Sequence, residues 1–133
     1  RLWRVTGVQT CALPISIMQV VFVVLHKTEL LQNLLTSLKK AGVSGGTILD
    51  SQGMISYIQE SDESYILGSL RLFLEQARPD SKTMFFIIND EQTDLVFDTI
   101  DKALGGLKKH NTGIAFAMPI TKVAGVVKDD SLF

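Results

Sequence analysis

The stretch QVVFVVLHKTELLQNLLTSLKKAG (residues 19–42) changes period at its midpoint. Its first seven residues are β-branched and apolar at nearly every position, as in a short strand that is covered on both faces or central in a sheet. Further on, Leu31, Leu34, Leu35, Leu38 and Ala41 recur at three- and four-residue intervals, which predicts an amphipathic helix. Thr28 is placed to cap its start, and Lys39 and Lys40 suit its negative end. Gly42 falls where a helix-terminating residue belongs.

Working outward, VSGGTILDSQGM (residues 43–54) supplies a second strand centred on Thr47, Ile48 and Leu49. Gly45 and Gly46 mark a bulge or a close backbone approach, and Gly53 a turn or strand exit. Residues 55–62 are mixed and run into Glu60, Asp62 and Glu63, so they read as an exposed loop or a ragged continuation of the strand. In ILGSLRLFLEQARPD, Ile66, Leu70, Phe73, Leu74 and Ala77 keep helical spacing up to Pro79. This predicts a short helix capping a sheet edge or packing at a subunit contact, with a strand over residues 70–74 as the alternative.

KTMFFIIN (residues 82–89) is the third strand. Behind it, Asn89 and Gln92 have capping-box spacing, Asp90 and Glu91 complement a helix start, and Val96, Ile100, Ala103 and Leu107 line one face. Gly105 and Gly106 end that helix, KKHNTG forms a polar loop, and IAFAMPI (residues 114–120) is the fourth strand, with Pro119 near its end. The final KVAGVVKDDSLF adds a short edge strand before fraying.

The order β-α-β, connection, β-α-β predicts an α+β, ferredoxin-like sandwich. It has one four-stranded antiparallel sheet with two main helices on one face, and a short extra helix in the connection between the second and third strands. The other face has no helical cover. Because QVVFVVL and MFFIIN are apolar almost throughout, that face is expected to be buried as well, by a closed oligomer.

Residues 1–16, RLWRVTGVQTCALPIS, stand apart and hold the single tryptophan, Trp3, and the single cysteine, Cys11. Arg1 and Arg4 before an apolar run imitate a secretory signal. Yet the run contains Gln19 and passes into His26, Lys27 and Glu29 without a small-x-small cleavage site, and it is too short to span a bilayer. A native extension would be interrupted by Pro14 and shows no period. VTGVQTCALPI (residues 5–15) resembles the conceptual translation of a sequencing-library adapter. On that reading Met18 is the start, residues 1–16 are a non-native disordered extension, residues 17–127 are the domain and residues 128–133 a frayed tail.

Setting Arg1 and Arg4 aside leaves eleven basic against fourteen acidic side chains, a net charge of -3. A weakly acidic surface excludes a general nucleic-acid binder, whose phosphate contacts need a basic field. No long apolar stretch follows Leu25, so a cytoplasmic protein is expected, reaching a membrane only through a protein partner. A domain of this length buries roughly two-thirds of its unfolded surface without a metal or disulfide staple.

The two histidines, His26 and His110, have no Cys, Asp or Glu at metal-motif spacing, so no metal centre is expected. His26 reads as a surface or capping residue. His110 lies beside Lys108, Lys109, Asn111 and Thr112, either as an anion contact or as solvated loop chemistry. G-x-S-x-G, Walker and Rossmann signatures are lacking, and capping accounts for Asp90, Glu91 and Asp94. With no nucleophile beside a base, no catalytic residue is expected and the protein is not expected to be an enzyme.

Gly46-Thr47-Ile48 followed by Gly53, the strand and helix of residues 82–107, and TGIAFAMP (residues 112–119) together resemble the nitrogen-regulatory PII family and its PII-like relatives, over most of residues 18–127. The resemblance implies homotrimers of ferredoxin-like subunits that bind adenine nucleotides, and often 2-oxoglutarate, between subunits. Such proteins act on their targets through the loop between the second and third strands. It implies Thr47 beside the nucleotide base, Gly53 and Met54 at the foot of the effector loop, and Gly113 as the second glycine of a phosphate-cradling G-D-G-K turn. Here that turn reads Asn111-Thr112-Gly113-Ile114, without its acidic residue and lysine. Two expected arginines fall on Gly125 and Val127, and the effector-loop glutamine falls near Tyr57.

Each lost charge-assisted hydrogen bond is worth about 1.5 to 3 kcal/mol, and Lys108, Lys109 and Lys128 are the cations present to replace them. The ligand-binding set is therefore Thr47, Gly53, Met54, Lys108, Lys109, His110, Thr112 and Gly113, with an adenine nucleotide the one candidate cofactor. Tyr57, Tyr65 and Arg71 are the partner-facing residues of the 51–80 segment, although Tyr65 also suits packing against the short helix.

The expected function is a non-enzymatic PII-like regulator of an unidentified protein, binding a small anionic metabolite or nucleotide between subunits, in nitrogen metabolism. The alternatives are a structural or helper trimer without ligand binding, and a small ferredoxin-like enzyme or metal-binding protein.

Overall fold

The computed structural model describes residues 17–61 and 80–126. Strand β1 (Met18–Leu25) lies inside a four-stranded sheet, with β3 (Ser81–Asn89) on one side and β4 (Gly113–Ile120) on the other. β2 (Thr47–Ser51) pairs only with β3, so the order is β2-β3-β1-β4, antiparallel throughout. Helices α1 (Leu31–Lys40), α2 (Met54–Ser61) and α3 (Thr93–Ala103) complete the described elements with two short 3-10 turns. This is the expected α+β ferredoxin-like arrangement.

The apolar run of β1 divides between two faces. Val21, Val23 and Leu25 are buried beneath the helices with Met84, Phe86 and Ile88 of β3. Leu34 and Leu38 of α1 and Val96, Ile100 and Leu104 of α3 and its end close that core from above. Full burial of each such side chain contributes about 1.5 to 3 kcal/mol. Asn33 donates its Nδ2–H to the Ala103 carbonyl at 2.9 Å and ties α1 to the end of α3.

Both main helices have the expected termini at one end. Gly42, at φ 99°, ends α1 in a Schellman arrangement: its N–H donates to the Lys39 carbonyl, and Val43 N–H donates to the Leu38 carbonyl. Asn89 and Gln92 form the capping box before α3. The start of α1 differs from expectation. His26 and Lys27 donate their N–H groups to the Thr112 carbonyl, so the chain leaves β1 through a 3-10 turn, Thr28–Leu30, and Thr28 makes no side-chain cap.

Two further expectations are corrected. Residues 54–61 are helical rather than loop or strand: the β2–β3 pairing ends at the Ser51–Ser81 rung, and past it the backbone satisfies its polar groups locally. The first such bond runs from Tyr57 N–H to the Gly53 carbonyl at 3.0 Å. The expected C-terminal edge strand does not form over residues 122–126, where Gly125 turns the chain at φ 87°. The expected helix of residues 66–77, its strand alternative, Tyr65, Arg71, Lys128, residues 1–16 and the tail 128–133 lie outside the described residues.

Among the described residues no helix covers the second face of the sheet. Strand alternation places Val20, Phe22 and Val24 there with Phe85, Ile87, Ile114, Phe116 and Met118, and no charged residue occupies a position on that face. Phe22 is flanked by its two cross-strand partners, with ring centroids 5.6 Å from Phe85 and 5.2 Å from Phe116.

Candidate functional site

The loop between α3 and β4 carries five of the sequence-derived ligand residues, Lys108, Lys109, His110, Thr112 and Gly113. Gly106 accepts from Lys109 N–H at 3.2 Å, and Asn111 takes a left-handed backbone at φ 59°, which folds the loop back over the end of β1. Thr112 is driven inside by this turn and is fully buried, while its carbonyl accepts from His26 and Lys27. Its Oγ1 is buried without a hydrogen-bond partner. Lys108, Lys109 and His110 remain exposed, so the loop presents two ammonium groups and an imidazole outside and an unsatisfied hydroxyl beneath.

Thr47 lies on the far edge strand. It is exposed, paired with Phe85, and borders an open-face groove of about 680 Å³ whose other walls include Gly46, Phe85, Ile87, Ile120 and Val126. Gly46 is where the expected close backbone approach occurs: a Cβ there would stand 3.0 Å from the Phe85 carbonyl oxygen. None of the described residues that line the groove is charged. Gly125, one of the two positions where the resemblance called for arginine, is part of its wall.

Gly53 and Met54 sit at the foot of α2, and Met54 and Tyr57 are 76% and 63% exposed. With Ile55 and Ile58 they make a short helix whose apolar side chains face outward rather than into the core. Beneath it, hydroxyls fasten the two ends of the 52–80 excursion. Ser51 Oγ lies 2.8 Å from Ser81 Oγ, Thr83 donates to Ser51 Oγ at 2.8 Å, and Lys82 pairs with Asp50.

The sequence-derived residues thus fall into two groups. Thr47 is on the β2 edge and the Lys108–Gly113 loop on the β4 edge, with β3 and β1 between them, while the groove that Thr47 borders runs across the sheet to Ile120, at the end of β4 away from that loop. Three interstrand steps put the edges roughly 14 Å apart. Not foreseen as walls of the groove were Phe85, Ile87, Ile120 and Val126; the strand period of KTMFFIIN, which turns Phe85 and Ile87 to one face, was the signal for the first two. Among the described residues no group of three His, Cys, Asp or Glu side chains is placed to hold a metal ion, and no helix is long and apolar enough to cross a membrane.

No family model and no curated protein matches this sequence. Among solved structures, the chain is similar to the crystal structure of Arabidopsis thaliana PII bound to citrate, with a TM-score of 0.56 and 18% identity over 82% of each chain. At that identity the likeness shows the fold: this chain has the fold of a PII protein.

Proposed function

We propose that the chain is a PII-like regulatory subunit that acts as a closed homotrimer and holds a small anionic metabolite or an adenine nucleotide between copies. The observation that carries this reading is the division of the candidate site between opposite edges of a sheet whose open face is apolar and free of charge. An exposed apolar face of that extent calls for a partner. Head-to-tail closure of identical copies buries it and sets the β4 edge of one copy beside the β2 edge of the next. The uncharged groove at Thr47 then takes the flat apolar part of the ligand, and Lys108, Lys109 and His110 of a neighbouring copy approach its anionic part. The solved PII neighbour holds citrate, a small polyanion, which supports the ligand class.

In this reading Gly53 and Met54 form the foot of an effector segment, and Tyr57 on α2 faces the regulated protein. The protein works without catalysis, in the cytoplasm and in nitrogen metabolism, by ordering that segment when ligand is bound; this requires a ligand that prefers one of its states. A second reading, a helper trimer that has lost ligand binding, is favoured by Gly125: where a phosphate-neutralising arginine was expected, the groove has no side chain at all.

Mass measurement by sedimentation or light scattering, combined with calorimetric titration of ATP, ADP, AMP, cyclic nucleotides, 2-oxoglutarate and citrate, tests both. A trimer binding one of them supports the regulator. A trimer binding none selects the helper subunit, and a monomer overturns both.

A further inference from the structure

Among the described residues, no helix closes the helical side of the sheet over β2. Ile48 points to that side, because its cross-strand partner Met84 is in the core, yet Ile48 remains 42% exposed. Between it and the C-terminal half of α1 lies a cavity of about 260 Å³ walled by Leu38, Val43, Ile48 and Met84. Its lining also includes Lys39 and Ser44, both exposed and therefore at its mouth. The Thr47 groove opens on the opposite face of the sheet, and no residue of the Lys108–Gly113 loop lines this cavity.

The gap follows from the sequence. After the Schellman turn the chain crosses to β2 through Gly45 and Gly46, which bring no side chain to fill it. A Cβ on Gly45 would meet nothing within 4 Å, whereas one on Gly46 would press on the Phe85 carbonyl oxygen at 3.0 Å.

The chemistry of the lining is one-sided. Among the described residues its side-chain walls are aliphatic or thioether, whereas its mouth carries one ammonium and one hydroxyl and no acidic side chain. Among the described residues no carboxylate is paired with Lys39. The Leu38 and Lys39 carbonyls, which would repel an anion, already accept from Val43 and Gly42.

We infer that this cavity binds a small monocarboxylate with an unbranched apolar tail, the tail against Leu38, Val43, Ile48 and Met84 and the carboxylate at Lys39. Its volume lies below the ~300 to 1,000 Å³ of pockets for drug-sized ligands, which limits the occupant to a short chain. At ~30 Å³ for a group the size of water, it holds about eight such groups, the length of a six- to eight-carbon acid.

The test is titration of the full chain, carrying 13C-labelled methyl groups, with sodium octanoate, following methyl resonances and measuring affinity by calorimetry. Saturable shifts are expected at Leu38, Val43, Ile48 and Met84, with octan-1-ol binding several-fold more weakly. Lys39→Glu, an exposed change, is expected to weaken octanoate by about three- to tenfold through lost attraction and added repulsion, and to leave octan-1-ol within about twofold. Ser44→Phe is expected to fill the mouth and abolish both while thermal unfolding stays cooperative. The inference is overturned if octanoate produces no saturable shift, if the shifts fall on Ile120 and Val126 instead, or if octan-1-ol binds as tightly as octanoate. Unchanged octanoate affinity in Lys39→Glu overturns it as well.

Discussion

Gly113 stands so close to Val24 that a Cβ on it would lie 2.5 Å from the Val24 carbonyl oxygen, well inside contact distance. This approach joins the first rung of β4 to the end of β1, directly after the turn that buries Thr112. A glycine that the family resemblance assigns to ligand binding is therefore also needed to seat the strand.

Gly113→Ala is accordingly expected to destabilise the protein even without ligand. Overpacking against backbone at φ 154° costs about 1 to 3 kcal/mol. A denaturant titration reads the cost as a lower midpoint; an unchanged midpoint would mean that β4 does not begin against Val24.

Phe116 is 40% exposed on the open face and stacks on Phe22. Phe116→Asp places a charge where the proposed trimer needs an apolar contact, so sedimentation should show monomers while far-UV circular dichroism is retained. Persistence of the parent's assembly in this variant would move the interface off this face.

The two cations of the α3–β4 loop should carry the ligand's charge. Replacing Lys108 and Lys109 together by alanine is expected to lower affinity for the bound anion by about ten- to hundredfold per charge-assisted hydrogen bond lost. Thr47→Val should cost less, up to about tenfold, because a neutral hydrogen bond is weaker. Calorimetry of the oligomer reads both, and equal affinities in the lysine variant would exclude the loop from the site.

Thr112 Oγ1 is buried and unpartnered, a condition costing about 1 to 3 kcal/mol. Thr112→Val keeps the shape and removes the polar group, so the thermal midpoint of the unliganded protein should rise. A fall would show that the hydroxyl is satisfied in solution, for instance by a trapped water.

On the outer face of α3, Lys102 pairs with Asp98 one turn earlier at 2.9 Å, and the hydrogen bond and attraction of that carboxylate raise the lysine pKa above its ordinary 10.5. A lysine pKa raised in the folded state stabilises fully below the unfolded value and loses that contribution as pH rises through the folded one. Stability of Lys102→Met relative to the parent should thus be level across neutral pH and recover only at alkaline pH, with the difference shrinking in high salt because the pair is exposed.

The elements that followed most directly from sequence are those with local physical causes. The strand-to-helix switch in residues 19–42, the Gly42 terminus and the Asn89–Gln92 capping box depend on side-chain period and on backbone groups within a few residues. Residues 54–61 depart from the sequence expectation for the complementary reason: where β2 pairing ends, at the Ser51–Ser81 rung, depends on a segment thirty residues away in the chain.

The sequence by itself therefore determined the ferredoxin-like order of elements and both helical core stripes, and it nominated the residues proposed to meet an anion. Only the tertiary structure decided where those residues stand. It put Thr47 and the Lys108–Gly113 loop on opposite edges, buried the Thr112 hydroxyl without a partner, and left one cavity open beside Ile48. The reason is that strand order and register, unlike period, are set by pairing between distant segments, and one pairing choice moves a whole edge by a strand's width.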